Sequence, residues 1–168
     1  MNITILAVGK IKESFYREAL AEYQKRLSRY CRLEIVEVAD EPAPEKASPA
    51  QEDAIREKEA QRILKRLRDN SFVITLEIAG KKYDSEKFAK KLENLALSGK
   101  SQLVFIIGGS LGLHSSVSAR ADLSLSFSDM TFPHQLMRVI LLEQIRTLDK
   151  RRLKERIGEL SENTMTRV

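Results

Sequence analysis

What is scarce in these 168 residues narrows the chain before any motif is read. Cys31 is the only cysteine, which excludes an internal disulfide and any cysteine-built metal cluster. His114 and His134 are the only histidines, and without cysteines beside them no zinc site or other metal is expected. No apolar run approaches the roughly 20 residues that a membrane-spanning helix needs, so no membrane partner is expected. The opening Met1-Asn-Ile-Thr-Ile-Leu-Ala-Val-Gly-Lys10 has no basic n-region and reads as a strand. A signal peptide is therefore not expected, and the predicted setting is cytoplasmic. Three of the four prolines fall in Asp40-Glu-Pro-Ala-Pro-Glu-Lys-Ala-Ser-Pro49, a loop that is either a lid, a binding loop or a solvated connector. Internal repeats and low-complexity stretches are absent, and no Ser-His-Asp, Cys-His or paired-carboxylate arrangement offers a hydrolytic nucleophile.

What is there reads as one α/β domain with a mainly parallel sheet. Strand patterns at Ile3 to Val8, Leu33 to Val38, Phe72 to Ile78 and from Gln102 alternate with helical patterns. One helix is predicted from Ser14, as its cap, to about Tyr30, with Phe15, Ala19, Leu20, Tyr23 and Leu27 on its buried face. A second runs from about Ala50 to Arg68, with Ala54, Ile55, Ala60, Ile63, Leu64 and Leu67 inward. A third runs from a Ser85 cap to Leu97 and stops at Gly99. Ser115 to Arg120 is a single helical turn, and Leu123 to Phe127 alternates with period two. The net charge of +5 and pI near 9.3 suit an anionic partner, nucleic acid first, or simply a mildly basic soluble protein.

Two runs form the centre of the chain. Leu103-Val-Phe-Ile-Ile-Gly-Gly-Ser-Leu-Gly-Leu-His114 is an apolar run breaking into a glycine-rich turn. It reads as a buried parallel strand whose carboxyl end opens on a backbone-lined crevice, where open α/β sheets bind ligands. The spacing is not that of the dinucleotide fingerprint, and no phosphate-loop Lys-Ser/Thr follows; a structural turn remains open. The second run, Leu123-Ser-Leu-Ser-Phe-Ser-Asp-Met-Thr-Phe-Pro-His-Gln-Leu-Met-Arg138, hands a short strand to a helix, with Thr131 as the expected N-cap and Pro133 in the first turn. His134 and Arg138, one turn apart, share a face that is either a phosphate contact or solvated. Glu143 and Gln144 read as surface or dimer-contact groups.

Ile3-Thr-Ile-Leu-Ala-Val-Gly-Lys10, Ile106-Ile-Gly-Gly-Ser-Leu-Gly-Leu113 and Leu125-Ser-Phe-Ser-Asp-Met-Thr-Phe-Pro-His-Gln-Leu-Met-Arg138 together resemble the ribosomal RNA large subunit methyltransferase H family, within the SPOUT superfamily of α/β-knot methyltransferases. The resemblance covers about residues 1 to 145. It implies a trefoil knot at the C-terminal helix, a homodimer, and S-adenosylmethionine bound in the knot. The implied reaction is methylation of N3 of a pseudouridine in 23S ribosomal RNA, in the assembled ribosome. Carried over residue by residue, the cofactor contacts are Leu76, Gly108, Phe127, Ser128, Asp129, Met130, Thr131 and Phe132. His134 and Arg138 are the candidates for catalytic or substrate contact.

After Ile145 the chain leaves the family pattern, which continues Tyr-Arg-Ala and closes on Pro-Tyr-His. Residues 146–168 form a basic tail, predicted to extend the last helix to about Arg156 and to fray past Gly158. A frameshift, a cloned variant or natural divergence each produces such an end. The second functional reading is therefore a folded RNA- or ribosome-binding homologue inactivated by its altered C-terminus. A nucleotide-binding redox or signalling domain is a third, weakened by the glycine spacing.

Overall fold

The computed structural model describes residues 1–147. Its elements follow one another as β1 (Asn2–Val8), α1 (Ser14–Leu27), β2 (Arg32–Val38), α2 (Pro49–Leu64), β3 (Phe72–Lys82), α3 (Ser85–Leu97), β4 (Gln102–Ile107), α4 (Ser115–Arg120) and β5 (Leu123–Ser126). A last helix, α5, occupies residues 134–147. The five strands form one sheet in the order β2-β1-β4-β3-β5, and every pairing is parallel. Parallel strands need crossovers, and the helices between them supply those. All five carboxyl ends therefore lie along one edge of the sheet.

Period-two alternation sends neighbouring side chains of the central strands to opposite faces. Ile3, Ile5 and Ala7 of β1 join Leu103, Phe105 and Ile107 of β4 against Leu20, Leu27, Phe88, Leu92, Leu141 and Leu142. Leu6, Val8, Val104 and Ile106 meet Ala60, Ile63 and Val117 on the other face. With both faces covered, the strands read as continuous apolar runs. Each fully buried side chain of this kind contributes about 1.5–3 kcal/mol.

Several helix details differ from the sequence expectation. Glu13, not Ser14, is the N-cap of α1, and it makes no side-chain cap bond. The packed stripe is Tyr16, Leu20, Tyr23 and Leu27. Phe15 falls one position ahead of that stripe and is 60% exposed. Asp84 caps α3 by accepting from the Lys87 N–H, because a carboxylate one residue earlier outcompetes the Ser85 hydroxyl. Pro49 opens α2 rather than ending the loop. Ser48 and Gln51 form a reciprocal capping box around it, and a missing N–H costs nothing at the first helical position. Ala54 is exposed, whereas Glu59, on a helix that reads as a charged outer layer, is buried.

Candidate active site

At the carboxyl edge of β3, β4 and β5 lies a cleft of about 1060 Å³. It gathers Leu76 from β3, the turn from Gly108 to Leu113 after β4, and Phe127, Ser128, Met130, Thr131 and Phe132 after β5. Seven of the eight positions expected to hold a cofactor thus face one space. Asp129 is not among the lining residues; it is exposed and pairs with Lys82 at the end of β3.

The serines of the Leu125–Phe132 stretch explain the loop's shape. Buried Ser126 donates its hydroxyl to the Ser128 carbonyl at 3.1 Å, and the Ser128 hydroxyl accepts from the Met130 N–H at 3.0 Å. Side chains thereby satisfy the tightest part of the turn and hold the following main chain at the cleft. Phe127 anchors the loop by an edge-on contact with Phe88, ring centroids 6.2 Å apart. Gly108 is buried, and a Cβ there would stand 2.9 Å from the Gly112 carbonyl carbon and 3.0 Å from its oxygen. No side chain fits between the two arms of this turn.

His134 lines the same cleft, half-buried at the start of α5. The preceding Pro133 carbonyl accepts from the Met137 N–H, so the helix begins two residues past the expected Thr131 cap. Arg138 lies one turn deeper, with no exposed surface. Its Nη1 donates to Glu37 Oε1 at 2.6 Å, and its Nη2 to the Gly9 and Val8 carbonyl oxygens at 2.7 and 3.1 Å. Nη2 also stands 3.4 Å from His134 Nδ1, which confirms the shared helix face. Burial first, then the Arg138 charge, hold the His134 imidazole below the usual histidine range, against smaller opposing effects of Asp40 and Glu13. Neutral imidazole is the form at pH 7.

Three acidic groups carry roles that composition alone did not reveal. Glu77 lines the cleft and accepts hydroxyl bonds from Ser118 and Ser124 at 3.0 and 3.2 Å. A carboxylate inside the apolar Phe72–Ile78 strand was the signal for it. Glu37 closes the Arg138 pair, and also accepts from the Ile11 N–H at 3.2 Å. Glu59 accepts from the Glu41 N–H at 3.0 Å and so ties the proline loop to α2. Its burial pushes the Glu59 carboxyl pKa upward. The folded chain then holds a proton there more tightly than the unfolded chain, so stability falls as pH rises from the ordinary glutamate range through the raised value. Glu59→Gln keeps an acceptor for Glu41 and is expected to flatten that slope in acid-range melting curves; an unchanged slope would contradict it.

Among the described residues, no group of three His, Cys, Asp or Glu side chains is arranged to hold a metal ion, and no helix is long and apolar enough to cross a membrane. A SPOUT methyltransferase family model, described as "Predicted SPOUT methyltransferase", matches residues 1–148. A Methanococcus maripaludis relative is 62% identical over 145 residues, covering 86% of this chain and 91% of that protein. The ribosomal RNA large subunit methyltransferase H proteins of Clostridium kluyveri and Clostridium beijerinckii are 58% and 57% identical with the same coverage. Among solved structures, a probable methylase family protein from Haemophilus influenzae superposes with a TM-score of 0.51 at 15% identity. That match covers 87% of this chain and 65% of the other, and shows the fold alone. With sheet, cleft and relatives in agreement, the chain belongs to the SPOUT methyltransferases, in the ribosomal RNA large subunit methyltransferase H family.

Proposed function

We propose that the chain methylates N3 of a pseudouridine in 23S ribosomal RNA, on the assembled ribosome, as a homodimer using S-adenosylmethionine. The observation that carries this reading is the cleft in which Leu76, Gly108 and residues 127–132 converge. The RNA part draws on the relatives' names and on the net charge of +5. Leu76 and Phe127 offer apolar surface, and the loop main chain offers hydrogen-bonding edges, a combination that suits an adenosine. Asp129, which the resemblance also implied, is exposed, pairs with Lys82 and lies outside the cleft lining, so it is not among the proposed cofactor contacts. When bound, S-adenosylmethionine supplies a methyl group on an activated sulfonium centre. The protein's own part is to orient the reacting groups and to control a proton at N3. His134 is proposed for that end of the cleft; Arg138, expected beside it as a contact residue, is fully buried behind it and outside the cleft lining, and so serves to position His134 rather than to touch substrate.

A trefoil knot belongs to the same proposal. Leu125 pairs with both Leu76 and Lys81, so β5 is engaged on either side of the excursion at residues 77–80. We take residues 1–145 as the methyltransferase domain and 146–168 as an appended tail. Arg146 and Thr147 continue α5, and the predicted extension beyond them lies outside the described residues. The tail's departure from the family pattern favours, as second reading, a folded homologue that binds ribosomes without transferring methyl groups.

The cofactor site is tested by calorimetric titration with S-adenosylmethionine. Gly108→Ala is expected to weaken binding by about five- to 150-fold, since overpacking costs about 1–3 kcal/mol. Unchanged affinity in a folded variant would move the site elsewhere. Methyl acceptance by assembled ribosomes and not by deproteinised 23S RNA is the expected substrate pattern; the reverse would overturn the ribosome part of the proposal.

A further inference from the structure

The ring of His134 has a proton whose place the structure determines. Its Nδ1 faces Arg138 Nη2 at 3.4 Å, and a guanidinium has donors only. A protonated Nδ1 would set two N–H groups against each other. Arg138 cannot turn away, because Glu37 and the Val8 and Gly9 carbonyls hold its two terminal nitrogens. The neutral ring therefore carries its hydrogen on Nε2. Among the described residues, Arg138 is the one protein group within hydrogen-bonding distance of the ring nitrogens, so Nε2–H has no protein acceptor. The other cleft-lining ionic groups are committed: Glu77 to two serines, Arg56 to Asp53 and Glu52. Charged groups around the imidazole are Arg138 on its own helix, Asp40 after β2 and Glu13 before α1.

We propose that His134 donates a hydrogen bond through Nε2–H to a carbonyl oxygen flanking N3 of the bound pyrimidine, and is not the base that removes the N3 proton. The proposal deepens, and rests on, the pyrimidine-N3 reading given above. A general base must present an unprotonated nitrogen to the proton it takes, and here that nitrogen is turned to a cation. The N3 proton leaves to solvent hydroxide, forming water. The electron pair left on N3 spreads to the two neighbouring carbonyl oxygens, where a fixed donor lowers its energy. That pair then forms the bond to the methyl carbon, and the C–S bonding pair returns to sulfur as a thioether.

Because the chain has two histidines, histidine-selective nitrogen-15 labelling resolves both rings by long-range proton–nitrogen correlation in the intact protein. An Nε2–H signal for His134 at pH 7, assigned by its loss in His134→Gln, is the expected result. An Nδ1–H tautomer or an imidazolium there overturns the proposal. The kinetic arm uses methyl transfer to ribosomes with His134→Gln, whose amide N–H replaces Nε2–H but which cannot act as base, and with His134→Ala. Loss of one such donor is expected to lower kcat about a hundredfold in the alanine variant, with the glutamine variant within about threefold of the parent. The rate should rise with pH along the same curve in parent and glutamine variant. A glutamine variant as slow as alanine, or an alanine variant as fast as the parent, overturns the proposal. Absence of transfer by the parent chain overturns the pyrimidine reading beneath it, while a wrong tautomer in an active parent overturns the donor role alone.

Discussion

Gly80→Ala is expected to destabilise the fold by about 2–3 kcal/mol, seen as a fall of roughly 5–10 °C in melting temperature. A Cβ on residue 80 would lie 2.7 Å from the Leu125 carbonyl carbon, 2.8 Å from that of Ser124 and 2.9 Å from the Leu125 nitrogen. All three are main-chain atoms of β5, so no rotamer change relieves the clash. The strand itself must move, and with it the pairings of Lys81 with Leu125 and of Lys82 with Ser126. Leu76, which also pairs with Leu125, lines the cleft, so S-adenosylmethionine affinity should fall in parallel. Gly99→Ala is the control. Its φ of +81° is unfavourable to alanine, but nothing lies within 4 Å, so only the backbone cost of about 1 kcal/mol applies. Equal stabilities for the parent and Gly80→Ala would mean that β5 does not press on residue 80.

Arg138→Met is expected to cost about 2–3 kcal/mol in denaturant unfolding. The guanidinium is completely buried and bridges β1, β2 and α5 through one carboxylate and two carbonyl oxygens. Methionine fills the volume and leaves the Val8 and Gly9 carbonyls without that donor. Two features keep the cost below the upper end for a broken buried pair. Glu37 keeps 32% of its side-chain surface exposed and can hydrate. Arg138 Nε is itself a buried donor without a partner among the described residues, a cost that the substitution removes. A Glu37→Gln and Arg138→Met double-mutant cycle separates the pair from packing: a clear coupling energy is expected, and simple additivity would contradict the ion pair.

The parts of the molecule legible in the sequence were those set by periodicity and by local punctuation. The apolar run Leu103–Ile107 reads as a doubly covered strand, and the glycine turn after it, open in the sequence between a structural turn and a ligand crevice, lines the cleft. The stretch from Phe127 to Phe132 reads as a loop at the same edge; the eight cofactor positions themselves are implied by the family resemblance, and seven of them share one cleft. Features created by tertiary contact were not legible. Gly80 looks like an ordinary strand end, and only the approach of Leu125, 45 positions later, makes it indispensable. Arg138 reads as a helix-surface cation until the ends of β1 and β2 are seen around it. Phe15 shows the reverse error: an apolar residue beside a stripe is not in it, and one position is 100° of helix rotation. Glu59 escaped notice because burial of a carboxylate on a charged helix leaves no periodic trace.

The most direct test of the account is transfer of labelled methyl from S-adenosylmethionine to ribosomes lacking the modification, followed by digestion to nucleosides. The chain is measured as it stands and with a Tyr-Arg-Ala to Pro-Tyr-His end grafted after Ile145. Label in N3-methylpseudouridine from the chain as it stands is the predicted result, and equal activity of the graft would make the tail dispensable. Label only with the graft would identify a folded homologue disabled by residues 146–168. No label from either, or label in another nucleoside, would contradict the proposed function.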